Sequence, residues 1–207
     1  MIKIDDLLLA YSDEGTGPPI VCLHATAQGG RDFEFFRNHI RSLRTYRLII
    51  LDWPGHGRSD PDTSEFSAIR CEYLLSRFLV ALDIQKPILV GNSIGAATAI
   101  RYAYANPSNV SGLVACNPGG LAPINRIARI FCSIMVMVAR LGEQGRPLFR
   151  VLYSGLCRSL LRGKPSKAQR QRIVAAGYEC ASVMKQAWNS FMQPDGDIRW
   201  MMPSILC

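Results

Sequence analysis

The first 120 residues alternate short apolar runs with longer stretches of helical periodicity. The shortest pattern is an opening hairpin, predicted for 2–4 and 7–11 around Asp5-Asp6. Four apolar runs predict buried strands, at 19–24, 46–53, 87–92 and 110–117. Three stretches predict helices with one buried face, at 31–43, 65–82 and 94–105. Strands that are apolar on both sides and separated by helices indicate an α/β fold with a doubly wound, mostly parallel sheet.

The pattern changes near residue 120, because the strand-like runs stop and residues 121–192 show helical spacing only. Within this part, Ser166 and Gln169 form a capping-box pattern ahead of a long amphipathic run. The apolar PSILC at 203–207 again predicts a strand. We therefore expect three parts: 1–120 as a sheet-forming core, 121–199 as a helical cap, and 200–207 as the start of the next core strand.

The charge is concentrated in the second half of the chain. The formal net charge is +8, and residues from 121 onward carry 13 Lys and Arg against 4 Asp and Glu. Such an excess fits an anionic substrate, a membrane surface, nucleic acid, or simply a solvated Arg-rich helical surface. We favour the solvated surface and expect no nucleic-acid partner, because no nucleic-acid motif accompanies the charge.

Cysteine usage and the N-terminus point to a cytoplasmic protein. The seven Cys are odd in number, widely spaced and without C-x-x-C, which argues against disulfides or a zinc site. Cys22 and Cys116 lie in apolar runs, where we expect small core residues. Asp5 and Asp6 interrupt any signal-peptide core, and the apolar stretch 130–139 is too short for a membrane span.

Gly91-Asn92-Ser93-Ile94-Gly95 is a G-x-S-x-G between an apolar run and a small-residue helix. A serine on a sharp strand-to-helix turn needs flanking glycines, because side chains there would collide with the strand and the helix. The turn lifts the Ser93 hydroxyl clear of the sheet, and the helix N-terminus directs free N–H groups at the same place. The context predicts Ser93 as a nucleophile and the Ile94 N–H as an oxyanion donor.

Two companion segments follow the first two long strand-like runs in chain order. They are the loop H-A-T-A-Q-G-G from His24 and the loop D-W-P-G-H-G-R-S from Asp52. Together with the Ser93 motif, they resemble the α/β-hydrolase superfamily, in the branch with a helical cap. The specific motifs cover residues 1–120, and residues 121–207 are compatible in character only.

The resemblance implies roles for several residues of the companion loops. The Thr26 N–H is implied as the second oxyanion donor, with Ala25 as the other possibility, since Ala25 stands where the family usually has glycine. His24 and His56 are implied to hold loops by hydrogen bonds, and we expect Asp52 to fix the Pro-Gly turn. His39 is expected at a helix surface, and no metal or cofactor is implied.

A serine hydroxyl needs a base, and the base needs an orienting acid. In this fold the acid and then the histidine follow the serine, yet His24, His39 and His56 all precede Ser93. Asn117 occupies one possible acid position, and Asp195 and Asp197 lie ahead of the 203–207 run. We therefore expect a truncated chain that lacks the last core strands, the acid and the histidine.

A serine nucleophile favours a hydrolase acting on a small carbonyl substrate, such as a carboxylic ester. Lactonases and cofactor-free haloperoxidase-like enzymes also fit. The G-N-S-x-G form makes a C–C bond hydrolase of ring-cleavage products the leading alternative. If the chain is complete, the missing histidine favours a non-catalytic member of the fold that binds a small molecule or a partner. A catalytically inert fragment is the remaining alternative.

Overall fold

The computed structural model of this chain describes residues 1–43, 45–160, 166–205 and 207. Its strands are β1 (Ile2–Ile4), β2 (Leu7–Leu9), β3 (Tyr11–Glu14), β4 (Pro19–Leu23), β5 (Arg47–Leu51), β6 (Ile88–Asn92) and β7 (Gly112–Cys116). Its α-helices are α1 (Glu34–Leu43), α2 (Ala68–Ala81), α3 (Ile94–Ala105), α4 (Arg126–Glu143), α5 (Pro147–Leu160), α6 (Ser166–Ala176) and α7 (Ala181–Ser190). Short 3-10 turns cover Gly29–Phe33, Pro107–Asn109, Pro194–Gly196 and Arg199–Ser204.

The main sheet has five strands in the order β3-β5-β4-β6-β7. β4, β5, β6 and β7 run parallel, and β3 joins β5 antiparallel at one edge. Leu23 pairs with both Leu51 and Gly91 across the sheet. Because the strands end in register, the loops that follow β4, β5 and β6 meet at one edge.

Helices cover both faces of this sheet, as the apolar pattern predicts. Val21, Leu23 and Ile49 alternate toward α2 and α3, in a cluster with Leu74, Leu75 and Phe78. Ile20, Cys22 and Ile50 point to the other face of the sheet. There they pack with Phe33, which precedes α1, and with Ile40 of α1. The doubly wound α/β architecture is therefore confirmed.

Two strand predictions need correction. β7 was expected to be buried, but Val114, Ala115 and Cys116 are exposed, because β7 is the edge strand of the described sheet. Cys116 is therefore a surface residue, whereas Cys22 lies in the core as expected. β3 was not predicted, since its sequence Tyr-Ser-Asp-Glu is short and polar.

The end of the chain also differs from its prediction. Pro203 and Ser204 complete a 3-10 helix that begins at Arg199, rather than a strand. Ile205 then has extended backbone angles, and Leu206 lies outside the described residues. Met201, in this 3-10 helix, packs on Ile100 of α3. This contact favours a compact turn over an extended strand here.

Residues beyond β7 are helical, as expected, and α4–α7 form a small core of their own. Phe149, Tyr153, Val138 and Met184 are buried together in it. The amphipathic run predicted from Ser166 is divided into α6 and α7, because the chain turns at 177–180. The predicted capping box cannot be compared, since the Ser166 side chain lies outside the described residues.

Candidate active site

Ser93 lies at the turn between β6 and α3, in a left-handed backbone conformation with φ 55° and ψ −115°. A non-glycine residue held there costs about 1–3 kcal/mol, so its surroundings must fix it. Its N–H donates to the Cys116 carbonyl at 2.9 Å, and its carbonyl accepts from Ala97 N at 3.0 Å. The Ser93 side chain makes no capping hydrogen bond to α3, so its hydroxyl is not used to begin the helix.

The two glycines of the motif make this turn sterically possible. A Cβ on Gly91 would lie 2.5 Å from Ala96 Cα and 2.5 Å from the Gly95 carbonyl oxygen. A Cβ on Gly95 would overlap the Leu23 carbonyl and come within 2.9 Å of the His24 carbonyl oxygen. The start of α3 therefore presses against the loop that follows β4, as a strained strand–turn–helix requires.

Two backbone N–H groups near this turn are free of the fold's own hydrogen bonds. Ile94 is the first residue of α3, so its N–H has no acceptor within the helix. Among the described residues, no carbonyl or side chain accepts from the Thr26 N–H. The Ala25 N–H, in contrast, donates to Asp32 Oδ2 at 3.0 Å. Thr26 and Ile94 are thus available to a ligand oxygen, and Ala25 is not.

Asp32 organises the loop after β4, a role that the sequence did not suggest. Its carboxylate accepts from Ala25 N, from Gln28 Nε2 at 3.1 Å, and from Asn92 Nδ2 at 3.5 Å. Burial raises the pKa of Asp32, and these three donors oppose that rise. Asp32 therefore ties the Thr26 loop to the residue before Ser93. An acid seven residues after Ala25 carries no recognisable spacing signal.

His24 is a structural residue, as expected. It is fully buried, its Nε2 accepts from Trp53 N at 2.9 Å, and its Nδ1 lies 2.6 Å from the Ala25 carbonyl oxygen. Since Nε2 is the acceptor, Nδ1 carries the proton and donates to Ala25. Burial lowers the pKa of His24 to about 4. Both ring nitrogens are engaged in holding two loops together, so neither is free to serve as a base for Ser93.

His56 stacks edge-on against His24, with 4.7 Å between ring centroids. Its Nδ1 lies 3.1 Å from the Pro54 carbonyl oxygen, which closes the turn after β5. Burial, and next the neighbouring His24, lower the pKa of His56 to about 3. The ring is thus neutral and buried between loops. His39 is exposed on α1, as expected.

The Asp52 carboxylate contacts the loop after β4 and Gly57, rather than the Pro54-Gly55 pair itself. Its Oδ1 accepts from Gly30 N at 2.6 Å, and its carboxylate packs against Gly57, which has φ 57°. The turn at Pro54-Gly55 is instead supported by a Gly55 N–H bond to the Asp60 carbonyl at 3.0 Å. Burial raises the pKa of Asp52, opposed first by the Gly30 N–H. Asp52 therefore joins the loops that follow β4 and β5.

The two aspartates after Ser93, Asp195 and Asp197, contact arginines. Asp197 pairs with Arg199 at 2.6 Å, which lowers the pKa of Asp197 to about 2. The carbonyl of Asp195 accepts from Arg101 at 3.2 Å. Asn117, directly after β7, has a left-handed φ of 45°. None of these groups is seen to orient a histidine within the described part of the chain.

The chain belongs to the alpha/beta hydrolase fold family, whose profile matches residues 18–130. It is 33% identical over 126 residues to the 2-hydroxy-6-oxononadienedioate/2-hydroxy-6-oxononatrienedioate hydrolase 1 of Dechloromonas aromatica. That match covers 57% of this chain and 42% of the relative. A 2-hydroxy-6-oxo-6-phenylhexa-2,4-dienoate hydrolase of Comamonas testosteroni is 30% identical over 121 residues, with the same two coverages. The matched region thus spans less than half of these curated relatives.

Solved structures agree on the fold. An esterase from Exiguobacterium antarcticum superposes with a TM-score of 0.76 at 20% identity, covering 98% of this chain and 75% of that one. A thermophilic esterase from Thermogutta terrifontis gives a TM-score of 0.74 at 22% identity, covering 96% of this chain and 72% of that one. Separately, no described helix has both the length and the apolar character needed to cross a bilayer.

Proposed function

We propose that this chain carries the nucleophile and the oxyanion donors of a serine hydrolase that acts on a small carbonyl substrate, such as a carboxylic ester. The observation that carries the proposal is the left-handed Ser93 at the start of α3, with the Ile94 N–H unpaired beside it. Ser93 Oγ attacks the substrate carbonyl carbon, and the carbonyl oxygen gains the negative charge. The N–H groups of Ile94 and Thr26 then donate to that oxygen.

The proton of Ser93 must go to a base when the bond forms. His24 and His56 are buried, neutral and engaged with the loops, and His39 lies on the exposed side of α1. The proposal therefore requires a base, with its orienting acid, from outside the described residues. Reading the gene beyond Cys207 for an in-frame Asp and His tests this requirement directly.

We further propose that residues 121–199 act as a cap over the Ser93 site. Cys180, at the start of α7, donates its thiol to the Ala27 carbonyl at 3.3 Å, next to Thr26. The Phe66 N–H, in the core, donates to Gln186 Oε1 on α7 at 2.6 Å. Such contacts support a cap that is attached to the oxyanion loop and shapes the acyl pocket.

A C–C bond hydrolase is the second candidate, because two curated relatives carry names of dienoate hydrolases. Asn92, which gives the motif its G-N-S-x-G form, also supports it. The two candidates differ in the bond that breaks. Parallel assays with p-nitrophenyl acetate and with a 2-hydroxy-6-oxodienoate separate them, since the favoured substrate identifies the reaction.

Covalent labelling tests the nucleophile without knowledge of the substrate. We expect a fluorophosphonate probe to label Ser93 in the gene product that includes the required base and acid, and Ser93→Ala to abolish the label. Ser133→Ala, on the surface of α4, is the matched control and should label like the parent. Labelling that persists in Ser93→Ala would exclude Ser93 as the nucleophile. A folded chain that is never labelled would favour the inert or ligand-binding alternative.

We also propose a reducing compartment, the cytoplasm, for this protein. All seven cysteines are free thiols, and five of them are buried. Burial raises the pKa of Cys180 to about 11, which keeps it a neutral thiol that donates to Ala27. Thiol titration of protein purified without reductant tests this proposal, since it should detect seven free thiols per unfolded chain.

A further inference from the structure

Helix α4 exposes an apolar stripe that nothing in the described structure covers. Ile127, Ile130, Ile134 and Met137 recur at the spacing of one helix face. Ile127 is 77% exposed, Ile130 61% and Met137 54%. The opposite face of α4 already packs on the helical core through Met135 and Val138. These four residues, called the α4 stripe below, are not used in the packing of α4 on the described helical core.

Arginines border the α4 stripe on one side. Arg126, Arg129 and Arg140 lie on the same face of α4, next to the stripe, because they are spaced by whole helical turns. In residues 121–178 there are 11 Lys and Arg and one acid, Glu143. Glu143 pairs with Lys185 of α7. Within the described part of the chain, no carboxylate forms a salt bridge with these three arginines, and Arg140 alone shares a pocket with acidic residues, Asp62 and Glu65.

The neighbouring helix α5, which packs against α4, repeats the same combination. Leu148 and Val151 are 53% and 68% exposed on it. Arg150 and Arg158 of α5 line a groove of about 600 Å³ together with Lys167 and Arg170 of α6. No acidic side chain lines this groove among the described residues.

We propose that this face of α4 and α5 docks on an anionic membrane surface. Exposed aliphatic residues beside arginines are typical of helices that lie in the plane of the interface, with the arginines near lipid phosphates. Charge complementarity selects an anionic lipid surface over a neutral one. The aliphatic stripe selects a membrane over nucleic acid, whose backbone needs cations but no exposed isoleucines. The proposal concerns docking at the membrane–water interface, and it is independent of the chemistry at Ser93.

Vesicle co-sedimentation of the chain tests the proposal. We expect binding to phosphatidylcholine vesicles with about one third phosphatidylserine, and little binding to phosphatidylcholine alone. Binding should weaken as salt rises, because the Debye length falls from about 10 Å at 0.1 M to about 3 Å at 1 M.

Two variants separate the charge from the apolar stripe. Arg126→Gln/Arg150→Gln/Arg158→Gln should weaken binding about 100-fold, at about fivefold for each cation near the surface. Ile130→Ser/Ile134→Ser should weaken binding about tenfold or more, since each side chain loses its insertion into the interface. The controls are Lys3→Gln/Arg77→Gln/Lys86→Gln, with the same loss of charge, and Phe35→Ser/Val80→Ser, which remove two side chains that are more exposed than Ile130 and Ile134. Both controls should bind like the parent.

Several outcomes would overturn the proposal. Equal binding to neutral and anionic vesicles, or no binding to either, would do so. Retention on RNA without vesicle binding would assign the basic face to nucleic acid. A stable oligomer by analytical ultracentrifugation that Ile130→Ser/Ile134→Ser dissociates, with no vesicle binding, would assign the α4 stripe to a second copy of the chain.

Discussion

Ser93 keeps its left-handed backbone because the residues around it leave no room for any other path. Gly95 is the tightest point, since its Cα faces the Leu23 and His24 carbonyls. We expect Gly95→Ala to destabilise the chain by about 3 kcal/mol or more, because a backbone carbonyl cannot yield as a side chain can. Gly155→Ala is the matched control, since open space surrounds that helical position. It should stabilise the chain by about 1 kcal/mol.

Urea unfolding of both glycine variants checks this prediction. Gly155→Ala should unfold at slightly higher urea than the parent, and Gly95→Ala should unfold at much lower urea. Equal midpoints for the two variants would mean that the loop after β4 moves away from α3 at little cost. In that case the close approach at Ser93 would not fix the turn.

The buried pair His24 and His56 makes stability depend on pH. Burial lowers the pKa of His24 to about 4 and that of His56 to about 3, whereas the unfolded chain titrates near 6.5. Below about pH 6.5 the unfolded chain therefore binds protons that the native chain does not. We expect the free energy of unfolding to fall by up to about 2.7 kcal/mol per pH unit, at 1.36 for each histidine.

Urea unfolding at several pH values between about 7 and 5 measures this slope. Most carboxylates titrate below that pH range. Replacing one of the two rings in His56→Asn should reduce the slope by about half. His39→Asn, on the exposed side of α1, should leave it unchanged. A parent whose stability does not vary over this range would contradict the buried, neutral state of the pair.

The sequence alone predicted some residues of the Ser93 site but not the role of Asp32. The Ser93 turn was predictable from its local G-x-S-x-G spacing, and the loop-holding of His24 was implied by the family resemblance. The role of Asp32 depends on where its carboxylate meets Ala25 and Asn92, and those residues are 7 and 60 positions away in sequence. Such contacts are set by the packing of whole loops, which no local pattern records.

At the scale of elements, the helical segment α4–α7 has a core of its own, and α7 also packs on the core of the sheet through Ala187. Phe149 is fully buried in the helical core, stacked on Tyr153 at 5.0 Å and edge-on to Tyr178 at 4.8 Å. We expect Phe149→Ala to cost about 3–5 kcal/mol, and to do so within this segment. Its helices should then open without the sheet.

Native-state hydrogen exchange distinguishes local from global loss. In Phe149→Ala, amides of α4, α5 and α7 should exchange faster, while those of β4 and β6 keep their protection. Leu89→Ala, at a fully buried position of β6, is the counterpart and should accelerate exchange in the sheet. Uniform acceleration in Phe149→Ala would mean that the two cores unfold as one unit.

Elements were predictable where the apolar pattern is dense, and less so at the margins of the fold. β4, β5 and β6 are buried on both faces, so their continuous apolar runs identify them. β7 has the same kind of sequence yet is largely exposed, because burial depends on its place in the sheet. β3 is polar and pairs at the other edge, where sequence carries little signal.

At the scale of the whole molecule, β7 is an open edge of the sheet that the described residues form, and we expect this edge to affect association in solution. Val114, Ala115 and Cys116 are exposed on an edge strand, and Val114 is 49% exposed. Unpaired edge groups beside apolar side chains recruit strands from other molecules. We therefore expect concentration-dependent association of the chain, and Val114→Lys should suppress it, because an edge lysine must be desolvated to pair.

Val80→Lys, on an exposed helix surface, adds the same charge away from the edge and should leave association unchanged. Sedimentation velocity over a concentration series measures this, and equal suppression by both variants would attribute the effect to net charge instead of the β7 edge.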